Sequence, residues 1–76
     1  MSPAEVQRCV DTGREALVRL AELVVKGQRS RAEAYEEALA ERDALVSLLD
    51  EAPHSEHAKI HDLLLRYEMM MKSLVS

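Results

Sequence analysis

The chain has 76 residues, with two Tyr, no Trp or Phe and a single Cys, and its fourteen acidic residues outnumber ten Lys and Arg for a net charge of −4. That length holds one domain at most, 1–76, and the lone Cys9 excludes an internal disulfide, pointing to a reducing compartment or an intermolecular bridge. No stretch reaches the roughly 18 uncharged apolar residues of a membrane span, the first residues do not read as a signal peptide, and the acidic balance opposes nucleic-acid phosphates, so the expectation is a cytoplasmic protein with neither nucleic acid nor membrane as partner.

Ser2-Pro3-Ala4-Glu5 opens the first helix: a hydroxyl at the N-cap, proline at the first helical position and glutamate three residues after the cap. Val6, Val10, Gly13, Leu17, Leu20 and Val24 then recur at 4-3-4-3-4 spacing, a core-facing stripe flanked by Cys9, Ala16, Ala21 and Leu23. Val18 and Val25 form a minor ridge off it. Lys26-Gly27 is a stop signal, with a cation for the helix dipole and a glycine for a left-handed exit. The expected helix runs near 3–26.

Ser30-Arg31-Ala32-Glu33 repeats the capping box and starts a second helix near 31–51, ended by Ala52-Pro53 because the residue before proline avoids helical geometry. This helix is rich in alanine. Tyr35, Ala38, Leu39, Leu45, Val46, Leu49 and Ala52 are assigned to its buried face, with Arg42 near the middle. Folding it back on the first helix about residue 28 brings Arg42 near positions 14 and 15, beside Gly13. Three roles are open to Arg42: to snorkel along the bundle edge, to pair with Glu15 or an acid of the third helix and fix register, or to meet a partner's carboxylate.

The third helix is expected near 56–75, capped by Ser55 with Glu56 in its first turn. From Ile60 to Val75 ten of sixteen residues are Ile, Leu, Val, Met or Tyr. His57, Ile60, Leu64, Tyr67, Met71 and Leu74 form one seam, widened by Leu63 and Met70. Leu65 and Met69 fall on the opposite side, where a helix in a small monomer should be polar. Methionine suits surfaces that adapt to a partner, so Leu65, Tyr67, Met69, Met70 and Val75 are the candidate binding surface, and Arg42 of the second helix is counted as a further candidate contact residue.

Candidate chemistry is sparse. His57 and His61, four apart on one helix face, lie at the same end as Cys9 if the third helix runs parallel to the first, and these three are the residues that would hold a tetrahedral zinc. No second cysteine supports that set; helix-edge histidines near a polar loop are the simpler reading, and no metal or cofactor is assigned. Phosphate-loop and nucleophile-elbow motifs are missing, and an enzyme is not expected. The basic tip of Lys26, Arg29 and Arg31 invites a helix-turn-helix reading, but the second helix would then present Glu33, Glu36, Glu37 and Glu41 to phosphates.

Leu17-Val18-Arg19-Leu20-Ala21-Glu22-Leu23, a polar break, and then Ala40-Glu41-Arg42-Asp43-Ala44-Leu45-Val46-Ser47-Leu48-Leu49 resemble flagellar export chaperones of the FliT type over roughly residues 14–50. Members of that family are usually longer and build four helices. The resemblance implies a small cytoplasmic chaperone that shields an aggregation-prone helical segment of an export substrate, with Leu45, Leu48 and Leu49 matching leucines of the family's second helix.

The expected architecture is all-α: an antiparallel three-helix bundle, or a helical hairpin plus a third helix, completed by oligomerisation or a partner helix. A core of this size supplies only about 3–5 kcal/mol, which gives the missing cover a stabilising role as well. The expected function is a non-catalytic binding module, chaperone or adaptor, that engages a partner helix through the apolar surface of the third helix. Two alternatives stand beside it. One is a small acidic inhibitor, phage-borne for example, that fits a basic groove with Glu36, Glu37 and Glu41. The other is a structural homodimer paired through the third helix.

Overall fold

The computed structural model describes all residues, 1–76, as three helices: α1, Pro3–Val25; α2, Arg31–Glu51; and α3, His57–Val75. No strand is present, and no helix is long and apolar enough to cross a membrane. The three form an antiparallel bundle 38 Å long. Its core joins Val6, Val10 and Leu20 of α1 to Ala34, Ala38, Leu45 and Leu48 of α2 and to Ile60, Leu63, Leu64, Tyr67 and Met71 of α3.

Both anticipated capping boxes form. Ser2 Oγ accepts from the Glu5 amide while the Glu5 carboxylate accepts from the Ser2 amide, and Ser30 and Glu33 repeat the exchange. Each pair satisfies two backbone donors that a helix start leaves free. At the end of α1, Gly27 takes φ +74°, and the amides of Gly27 and Gln28 donate to the carbonyls of Val24 and Leu23. This is a Schellman exit, which needs a left-handed residue at that point.

The start of α3 differs from expectation. Pro53 leads into one 3₁₀ turn, His54–Glu56, and Ser55 lies inside it and caps nothing. Glu56 takes the N-cap position of α3 with its side chain largely buried, and Lys59 donates to that carboxylate at 3.0 Å. The turn is held from the other side by His57, whose Nε2 donates to the Ala52 carbonyl at 3.1 Å. A carbonyl only accepts, so that nitrogen carries the proton.

Packing within the bundle is uneven. α2 and α3 lie together along most of their length, whereas α1 touches both more sparingly. Ala34 and Ala38 are fully buried, and such small side chains let the α3 backbone and its large residues come close. α1 compensates at one point, Gly13, where a Cβ would sit 2.9 Å from Leu63 Cδ2.

The buried stripe of α2 therefore runs Ala34, Ala38, Leu45 and Leu48, with position 41 at its centre. Of the face expected from the sequence, Ala38 and Leu45 do lie in this stripe and Leu49 and Ala52 pack partly buried against the core, whereas Tyr35, Leu39, Arg42 and Val46 lie to one side of it, about one residue or roughly 100° of helix away. Val46 is half exposed, and Tyr35 and Leu39 are only partly buried.

Candidate protein-binding groove

The phase of α2 decides where its charged residues go. Glu41, not Arg42, faces α1: it lines two clefts between α1 and α2, each of about 300 Å³, one of which also holds Gly13. Arg42 points to the other side of the helix, away from positions 14 and 15, and pairs with its neighbour Asp43 at 3.2 Å. The register-fixing pair with Glu15 or an acid of α3 does not form.

Arg42 stands instead in a groove of about 350 Å³ between α2 and α3, to which α1 contributes no residue. Tyr35 and Arg42 supply the α2 wall. Leu65, Met69 and Val75 supply the exposed apolar part of the α3 wall, at 57%, 64% and 69% exposed, with buried Met71 at its floor. Glu68 and Lys72 complete that wall with one charge of each sign. Helical spacing extends the α2 side beyond the groove, since Leu39 and Val46 stand three before and four after Arg42 on the same stripe.

Two of the expected surface residues belong elsewhere. Tyr67 is fully buried, and its hydroxyl donates to the Gly13 carbonyl. It faces α1, not a partner. Burial, with the Glu41 carboxylate nearby, pushes its phenol up to about 12. Met70 is half-buried against the core and does not line the groove. On α3 it projects to the Leu63 side, toward α1. Leu65, Met69, Val75 and Arg42 do converge on one surface. Tyr35, Glu68 and Lys72 join them and were not anticipated. The signal for the last two was in the sequence: positions 65, 68, 69 and 72 follow a helical stripe.

The Cys9, His57 and His61 set does not assemble. No group of three or more His, Cys, Asp or Glu side chains is placed to hold a metal ion. Cys9 is exposed on α1, His57 is tied to the Ala52 carbonyl, and its ring neighbour is His54 at 5.1 Å between centroids.

Outside the groove, three further ion pairs form: Arg29 with Glu37, Lys59 with Glu56 and Arg66 with Asp62. At the basic tip, Arg29 Nε donates to Glu37 at 3.0 Å, which holds the guanidinium above its ordinary value. Of the three acids expected to meet a basic groove, Glu37 is thus engaged and Glu41 is half-buried beside α1; Glu36 alone is exposed without an ion pair.

No family model matches this chain, and no curated protein or solved structure matches it.

Proposed function

We propose that this protein is a non-catalytic binding module that takes a helical segment of a partner protein into the α2/α3 groove. One observation carries the reading: Leu65, Met69 and Val75, large apolar side chains more than half exposed, converge with Tyr35 and Arg42 on one open groove instead of scattering. Isolated exposed apolar residues are ordinary, whereas a convergent set marks an interaction surface. Covering each of these three would contribute roughly 1–2 kcal/mol. The groove is bounded by two helices along its length, the shape that receives the apolar face of a third helix. An export chaperone of the FliT type, which shields a substrate helix, is one form of this reading.

Affinity capture from the native host with the wild-type chain and with Met69→Lys tests it, alongside light scattering at several concentrations. A partner held by the wild type and lost by Met69→Lys, with the free chain monomeric, supports the reading. If Met69→Lys changes neither partner capture nor oligomeric state, the groove is not the binding surface.

A further inference from the structure

The apolar part of the groove fits any amphipathic helix; its charges do not. Arg42 projects into it from α2 and Lys72 from α3, against the single acid Glu68. The residues that line the groove thus carry two cations against one acid, in a chain of net charge −4. Neither cation is fully used. Lys72 makes no ion pair, and Arg42 makes one bond, at 3.2 Å, to an exposed carboxylate beside it in sequence. Glu68 precedes Lys72 by four residues, a spacing that favours pairing on a helix, yet the two are not joined. A guanidinium offers five donors in a planar fork that matches a carboxylate, and Arg42, which lines the groove, engages only one of them.

We infer that the groove selects an acidic amphipathic helix, one whose apolar residues cover Leu65, Met69 and Val75 while an Asp or Glu beside them reaches Arg42 or Lys72. This rests on the groove being the binding surface. A second copy fits less well: a two-fold pair sets the same patch against itself, bringing the two cations of one groove against those of the other.

Three synthetic helical peptides of about eighteen residues, identical in their leucine stripe and carrying Glu, Gln or Lys beside it, separate the terms. They are titrated against the full-length chain by fluorescence anisotropy at low and physiological salt. The Glu peptide should bind at least tenfold more tightly than the Gln peptide, the Lys peptide should bind weakest, and salt should narrow the gap. Arg42→Glu and, separately, Lys72→Glu should each shrink or reverse the preference; Lys72 is exposed, so that variant keeps the fold if Arg42→Glu does not. Equal binding of all three peptides overturns the charge selection and leaves the groove reading standing. Failure of all three, with the helical circular-dichroism signal intact, overturns both. A concentration-dependent dimer of the free chain that Met69→Lys abolishes assigns the groove to a second copy and overturns the inference.

Discussion

The hydroxyl of Tyr67 donates to the backbone carbonyl of Gly13, joining the middle of α3 to the middle of α1 across fifty-four positions of sequence. Both partners are needed for this contact. Gly13 has no side chain to hold the helices apart, and Tyr67 is the largest fully buried side chain in the chain. α1 packs sparingly elsewhere, so the bond locates it on the α2/α3 pair.

Tyr67→Phe should keep the fold and lower stability by about 1 kcal/mol, the ordinary net worth of one hydrogen bond. It should also change the alkaline limb. In the folded chain the phenol ionises near 12, above the ordinary tyrosine value of about 10. A raised folded value gives stability that is complete below about pH 10 and lost as pH rises toward 12. The variant should lack this component. Urea denaturation across that range checks the first claim, and the ultraviolet difference titration of wild type against Tyr67→Phe reads the ionisation.

Local chemistry made the helix boundaries legible, while long-range packing did not show in the sequence. Ser2, Ser30 and Gly27 act through their own neighbours within a few residues, so the two capping boxes and the α1 exit follow from residue type alone. The phase of α2 depends on what α3 brings to it. Alanine carries little hydrophobic contrast, so Ala38 and Leu45 are legible as buried only alongside Tyr35, Leu39 and Val46, while Ala34 and Leu48, which complete the buried stripe, do not stand out. That one-residue rotation misplaced Arg42 and hid Glu41. Tyr67 belongs by spacing to the core seam of α3, where it is buried, and its assignment to the binding surface as well follows only from the apolar residues that surround α3 on more than one side. The 3₁₀ turn replaced a Ser55 cap because His57 reaches back to the Ala52 carbonyl, a contact no local pattern announces.

Gly13→Ala sets two effects against each other. Alanine gains roughly 0.8–1 kcal/mol of helix propensity over glycine. Its Cβ would meet Leu63 Cδ2 at 2.9 Å, in a side chain with no exposure and little room to turn. Overpacking of that kind costs about 1–3 kcal/mol. The net outcome should be destabilisation by about 1 kcal/mol, measured by urea unfolding. Combined with Leu63→Val, the same substitution should cost less than the sum of the two single changes, since they share one contact.

Gly27→Ala tests the opposite reason for a glycine. Nothing lies within 4 Å of a Cβ built there, so space is not the constraint. Backbone is: φ is +74°, and a left-handed conformation costs an L-residue with a Cβ roughly 1–2 kcal/mol. Alanine should lower stability by about 1 kcal/mol. Asparagine, which tolerates this conformation better, should lower it less. Thermal melts of the two variants side by side distinguish this from a packing defect, which the larger asparagine would worsen.

Ser30→Ala removes the hydroxyl that accepts from the Glu33 amide, and loss of such a cap costs about 1 kcal/mol. The same exchange holds the Glu33 carboxyl below its ordinary value, first through the Ser30 amide and then through the hydroxyl. A depressed folded value means that the contribution is present above the unfolded carboxylate range, about pH 4.3, and fades as pH falls through the folded value. In Ser30→Ala the Glu33 titration should move up toward the ordinary value while Glu5, held by the intact Ser2 box, stays depressed. Carboxyl chemical shifts followed by NMR through the acid range read both residues in one sample. If Glu33 does not move, the hydroxyl is not what organises the box, and the amide of Ser30 holds the carboxylate alone.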